Sequence, residues 1–95
     1  MRKGLLTDNT VVSRTLEVVA ADMDGETVMI SIENGKYYGL NVIGSRIWEL
    51  LAGPQSVAQM VQLLGDEYDV ERERCRKDVL DFLNYLVGEN LVKLG

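Results

Sequence analysis

Hydrophobic positions follow a two-residue period in the first half of the chain and a helical period in the second. The first ten or so residues lack a clear period and carry Gly4, Asp8 and Asn9, so residues 1–15 are expected to form mainly a polar lead-in to a core spanning 16–94. From Leu16 to Asp22 the chain is rich in Val and Ala, and Asp24-Gly25 follows as a turn signal that tolerates positive φ. In Glu26–Glu33, Val28, Ile30 and Ile32 alternate with Met29, Ser31 and Glu33, the pattern of a strand with one buried face. Asn34-Gly35 marks a second hairpin turn, and Lys36–Leu40, with two adjacent tyrosines, reads as a third strand. The first half is therefore expected to be a three-stranded antiparallel meander.

After Asn41, a suitable helix cap, Ile43, Ile47, Leu50 and Leu51 recur at helical spacing, and Gly53-Pro54 stops the run. Ser56-Val57-Ala58-Gln59 has the form of a capping box and opens a second helix with Val57, Met60, Val61 and Leu64 on one face, expected to end at Gly65. Asp69 is a candidate cap for a third helix with Cys75, Val79, Phe82, Leu83 and Leu86 inward. Gly88 stands where a left-handed terminator belongs, and Leu91–Leu94 reads as a short extended tail. Three strands followed by three helices predict one α+β domain over residues 1–95, compatible with a winged-helix-like architecture.

Composition narrows the chemistry. The 95 residues include no histidine and one cysteine, Cys75. Histidine-based catalytic pairs and triads are thereby excluded, one cysteine makes neither an intramolecular disulfide nor a structural zinc site, and no metal or cofactor is expected. A net charge of -5 weighs against binding to phosphate backbones. No apolar run has the length of a signal peptide or a membrane span, so a cytoplasmic protein without membrane contact is the expectation.

The run Gly35-Lys36-Tyr37-Tyr38-Gly39-Leu40-Asn41, followed by Ile43-Gly44, Ile47-Trp48 and Leu50-Leu51, resembles the signature of the PqqD family. Asp78-Val79, Phe82-Leu83, Leu86 and Asn90-Leu91-Val92 fit the end of that pattern, and the likeness covers residues 16 to 94. Met23-Asp24-Gly25-Glu26, Met29 and Glu67-Tyr68-Asp69-Val70 further resemble the discrete PqqD-like proteins of lasso-peptide pathways. The resemblance implies a non-catalytic domain that recognises the leader of a ribosomally made precursor peptide. In such domains the leader adds as an antiparallel strand to the third strand, in a cleft bounded by the third helix. A separate cysteine protease then removes the leader, and a cyclase closes the ring.

Peptide-binding candidates are accordingly Lys36, Tyr37, Tyr38, Gly39 and Leu40 on the strand and Cys75, Asp78, Val79 and Phe82 on the helix. Backbone groups of an edge strand bind an extended peptide whatever its side chains. Gly39 permits close approach of a second backbone or accommodates a bulge, and both readings stand. Tyr38 shares parity with Leu40 and is expected in the core, with Tyr37 facing the other way. On the third helix, Tyr85, Phe82, Cys75, Leu86, Val79, Leu83, Val87 and Leu80 spread over about 220°, beyond the roughly 100° stripe of a surface helix. The flank with Cys75, Phe82 and Tyr85, bordered by Asp78, is the choice for the cleft, with Cys75 as a small apolar filler.

Three alternatives remain at this level. A winged-helix nucleic-acid-binding regulator rests on Arg72, Arg74, Arg76 and Lys77, although Glu71, Glu73 and Asp78 interleave with them. A PqqD-type chaperone of a different modified-peptide pathway needs the same site. A hydrolase using Glu33, Asp66, Glu67 or Asp69 is the weakest, because turns and helix starts explain those acids.

Overall fold

The computed structural model describes residues 6–15 and 18–94; Gly4 of the expected lead-in and Leu16, where the first strand was to begin, lie outside them. The element order is β1 (Val11–Arg14), β2 (Val18–Met23), β3 (Glu26–Ser31), β4 (Lys36–Gly39), α1 (Val42–Leu50), β5 (Gln55–Ser56), α2 (Val57–Tyr68), α3 (Arg72–Gly88) and β6 (Val92–Leu94). The expected meander is the antiparallel sheet β2-β3-β4, so the third strand of the sequence reading is β4. At the first hairpin Asp24 and Gly25 take φ of 58° and 84°, the two positive values that a two-residue turn closing Met23 on Glu26 requires.

The second hairpin differs from expectation. Ser31 pairs with Lys36, so β3 stops at Ser31 and residues 32–35 form a four-residue loop. The reason is local: the Ser31 hydroxyl accepts the Asn34 amide at 3.1 Å, while the Ser31 carbonyl accepts from Gly35, whose φ is 65°. Thr27, Met29 and Ser31 form the buried side of β3; of the wholly apolar set Val28, Ile30 and Ile32 on the other side, Val28 is half-buried and Ile30 and Ile32 are exposed. Tyr38 and Leu40 are buried and Tyr37 is 78% exposed, the parity expected of them.

A second antiparallel sheet, β5-β1-β6, is absent from the sequence reading. Val11–Arg14 lies inside the expected lead-in yet is a central strand, with Val12 fully buried. Just before it, the Asp8 carbonyl accepts the Ala58 amide and the Asp8 carboxylate holds Arg76 at 2.8 Å. The Arg14 guanidinium lies 4.7 Å from the Trp48 ring centroid and its Nε donates to the Trp48 carbonyl at 3.0 Å, fastening β1 to the end of α1.

The helix starts follow side-chain capping. Asn41 Oδ1 accepts the Gly44 amide at 2.8 Å, and Ser56 and Gln59 complete a reciprocal capping box. Two expected ends move. α2 continues through Gly65 to Tyr68, and Asp69, expected to open α3, instead closes α2 in a left-handed conformation with φ 53°. Glu71 caps α3, its carboxylate accepting the Arg74 amide at 3.3 Å. At the far end Asn90, with φ 59°, takes the left-handed position expected of Gly88. Its amide donates to the Val87 carbonyl and that of Leu91 to the Leu86 carbonyl, the paired bonds of a Schellman closure that turns the chain into β6.

Between these layers sits one core, containing Met29, Tyr38, Leu40, Ile47, Trp48, Met60, Leu64, Val79, Leu83 and Leu86. No helix among the described residues is long and apolar enough to cross a membrane.

Candidate functional site

β4 pairs with β3 on one side and with no strand on the other among the described residues. The Leu40 amide donates to the Thr27 carbonyl at 2.8 Å. Antiparallel alternation then turns the amides of Leu40, Tyr38 and Lys36 toward β3 and those of Tyr37 and Gly39 toward the open edge. Ser45 of α1 closes the hairpin there: its hydroxyl accepts the Thr27 amide at 2.7 Å and donates to the Leu40 carbonyl at 3.3 Å. The register runs without an extra residue from Ser31–Lys36 to Val28–Gly39, which removes the bulge reading of Gly39. A Cβ at Gly39 would meet nothing within 4 Å.

A polar clasp joins the start of β4 to the end of α3. Tyr38 Oη donates to Glu89 Oε1 at 2.7 Å, Asn34 Nδ2 donates to Tyr38 Oη and to the Glu89 carbonyl, and Lys36 Nζ stands 3.6 Å from Glu89 Oε1. Tyr85 meets the Tyr38 ring edge-on, with centroids 6.4 Å apart. Burial and the Glu89 carboxylate push the Tyr38 phenol above its ordinary value.

From this clasp the two elements continue toward a cleft of about 730 Å³ beyond the C-terminal end of β4. Asn41, Ile43, Gly44 and Ile47 form one wall, the end of α2 with Leu64, Tyr68, Asp69 and Val70 forms the second, and α3 forms the third. All four helix candidates line it: Cys75, Asp78, Val79 and Phe82. Phe82 packs so close to α1 that a Cβ on Gly44 would stand 3.3 Å from its ring. Cys75 is buried, its Sγ 3.6 Å from the Val61 carbonyl, and burial followed by the nearby Asp78 charge raises its thiol pKa. That is the setting of a neutral filler, as expected.

The strand candidates divide. Lys36 and Tyr37 border a shallow hollow with Ile30, Ile32 and Gly35, Gly39 is open at the edge, and the side chains of Tyr38 and Leu40 are in the core. Tyr85, expected to share the cleft, packs on Tyr38 instead. Sequence reasoning did not nominate the α1 and α2 walls. Their signal was partly present: Tyr68 stands four residues after Leu64 and continues the apolar stripe of α2 past Gly65, and Gly44 is the third residue after the Asn41 cap.

Basic residues at the start of α3 are largely engaged. Arg74 lies 3.9 Å from Asp78, Arg76 2.8 Å from Asp8 and Lys77 3.1 Å from Asp81. These partners offset the positive stripe on which the nucleic-acid alternative rests. The described residues contain no group of three or more potential metal ligands.

No curated protein matches this sequence. Solved structures do. A structure of TbiB1 in complex with the TbiA(beta) leader peptide is 34% identical, covers 85% of this chain and 94% of its own, and superposes with a TM-score of 0.80. A lasso peptide synthetase B1 complexed with the leader peptide is 26% identical, with 86% and 96% covered and a TM-score of 0.77. The fold is shared with the PqqD truncation of Methylobacterium extorquens PqqCD, a stand-alone RiPP recognition element, at 20% identity, coverage of 93% and 94%, and a TM-score of 0.77. The family described as Coenzyme PQQ synthesis protein D (PqqD) matches residues 26–92, which take in β3, β4, all three helices and every wall of the cleft, and the chain belongs to that family.

Proposed function

We propose that the chain is a non-catalytic recognition element that binds the leader of a ribosomally synthesised precursor peptide and holds it for maturation, in a lasso-peptide pathway. The leader adds as an antiparallel strand to β4, using the outward backbone groups of Tyr37 and Gly39, and lies beside Phe82, Val79, Cys75 and Asp78 of α3. A separate cysteine protease and a cyclase act on the peptide held there.

The observation that carries this reading is the coincidence of an unpaired strand edge with an apolar cleft beginning where that strand ends. Main-chain pairing supplies affinity independent of side chains, and the cleft supplies selection among peptides. The two similar proteins above 25% identity are both described in complex with a leader peptide, which supports the same use of this fold here.

The test is a titration of the isotopically labelled chain with the leader of its cognate precursor peptide. Tyr37 and Gly39 amides should shift and gain protection from exchange, and the leader should keep its mass after long incubation. Perturbation confined to α1 and α2 would sink the strand mechanism, whereas cleavage of the leader by the domain alone would overturn the non-catalytic assignment.

A further inference from the structure

The groove along β4 and α3 is asymmetric in charge. At the clasp end Lys36 is paired with Glu89. At the cleft end the lining includes three carboxylates, Asp69, Glu71 and Asp78, against one guanidinium, Arg74. Two of these carboxylates have local ties: Asp78 faces Arg74 at 3.9 Å and Glu71 accepts the Arg74 amide. Asp69, exposed and held left-handed at the end of α2, has no ion-pair partner among the described residues. The mouth is thus net negative, while Ile47, Leu64, Val79 and Phe82 line an apolar interior.

Strand direction converts this asymmetry into a statement about the ligand. β4 runs from the clasp toward the cleft, so a peptide pairing antiparallel to it runs from the cleft toward the clasp. Its side chains opposite Tyr38 and Leu40 share their inner face and turn toward α3, whereas those opposite Tyr37 and Gly39 join the outer face. Residues just N-terminal to the paired segment cross the acidic mouth. Resting on the leader-binding reading above, we infer that the domain selects leaders in which the segment immediately N-terminal to the docked strand carries an apolar side chain for the cleft together with flanking lysine or arginine. The C-terminal side, which leads on to the segment to be matured, leaves past Lys36 and carries no such requirement.

The experiment uses the full chain and ten-residue synthetic peptides with alternating valine and threonine at the strand positions. One series carries two Lys, two Gln or two Glu on either side of a leucine at the N-terminal flank, and a mirrored series carries the same segments at the C-terminal flank. Affinities are read by fluorescence anisotropy at about 0.15 M salt, where screening over about 8 Å suppresses the general attraction of an acidic protein for cations. Two exposed ion pairs at the mouth should make the N-terminal Lys peptide bind about fivefold more tightly than the Glu peptide. The C-terminal series should vary less than twofold, and the Asp69→Asn, Asp78→Asn double variant should level the N-terminal series. Binding without flank preference, equal preference at both flanks, or a preference that survives the double variant overturns this inference and leaves leader binding standing. Failure of every peptide and of the precursor's own leader to bind overturns both.

Discussion

Tyr38 Oη donates to Glu89 Oε1 across 2.7 Å and thereby fastens β4 to the C-terminal end of α3. The bond belongs to the neutral phenol, whose pKa is held above its ordinary 10.0 by burial and by Glu89 itself. For an acid with a raised folded pKa, the stabilisation is complete below the unfolded value and is lost as pH rises through the folded one. Tyr38→Phe should therefore lower the denaturation midpoint by a constant amount from pH 7 to 9, and the gap should close above pH 10. Amides of Lys36–Gly39 should also exchange faster in the variant. A gap that widens at high pH would show that the phenol is not the donor.

What was legible in the sequence was local. The Asp24-Gly25 turn, the Asn41 cap and the Ser56/Gln59 box each involve residues within three or four positions, and side-chain chemistry at that range fixes geometry. The tyrosine parity held because β4 buries one face only. The β5-β1-β6 sheet was not legible: its pairs join Val12 to Leu94 and to Gln55, its strands are two to four residues long, and Ser13 and Arg14 blur the alternation. Gly65 misled as a helix stop. Its intrinsic cost of about 1 kcal/mol is overridden by burial of Leu64 and by the Arg46–Glu67 pair at 2.7 Å, which ties the last turn of α2 to α1. The α3 wall of the cleft was legible as an apolar arc too wide for one partner. The opposing walls needed the tertiary placement of Gly44 and of the left-handed Asp69.

Gly39 separates main-chain from side-chain recognition. Gly39→Ala keeps the outward amide and places a Cβ in open space, so stability and leader affinity should both change little. Gly39→Pro removes that amide at an edge position where proline is tolerated, and leader affinity should fall at least about tenfold while the chain still folds. Tyr38→Pro removes an inward amide and a buried ring together, so it should destabilise the fold. Equal affinities of the Gly39 alanine and proline variants, measured by calorimetry, would remove the edge strand from the mechanism.

Gly44 and Phe82 should be energetically coupled. In α1, Gly44→Ala gains about 1 kcal/mol of helix propensity. Its Cβ would, however, press on the Phe82 ring and on Asn41 Oδ1 at 3.3 Å and on Leu40 Cβ at 3.4 Å. Two of these neighbours are held by the cap and the strand, so the accommodating move is a swing of Phe82 into the cleft. The variant should be less stable than the parent despite its propensity, and leader affinity should drop. In a Phe82→Leu background the same change should cost less, with a coupling of about 0.5–1 kcal/mol in a denaturant double-mutant cycle. Strict additivity would mean that Phe82 does not feel the Gly44 position.

Cys75 tests the floor of the cleft by its reactivity. The residue is 6% exposed, and burial, then the neighbouring Asp78 carboxylate, raises the thiol pKa above the ordinary 9.0. Only the thiolate attacks a disulfide reagent, so native labelling at pH 8 should be far slower than labelling in urea despite Arg74 and Arg76 on either side. The sign follows from linkage: a raised acid pKa favours the native state while the thiol is neutral, and that contribution is lost as pH climbs through the folded value. Labelling should therefore accelerate steeply above pH 9, as thiolate forms and the native state loses this support together. A bound leader covering the cleft should slow the reaction at every pH by restricting access. Rapid native labelling at pH 7 would assign Cys75 to an activated thiol instead of a neutral packing group, and leader-independent rates would place the peptide away from this wall.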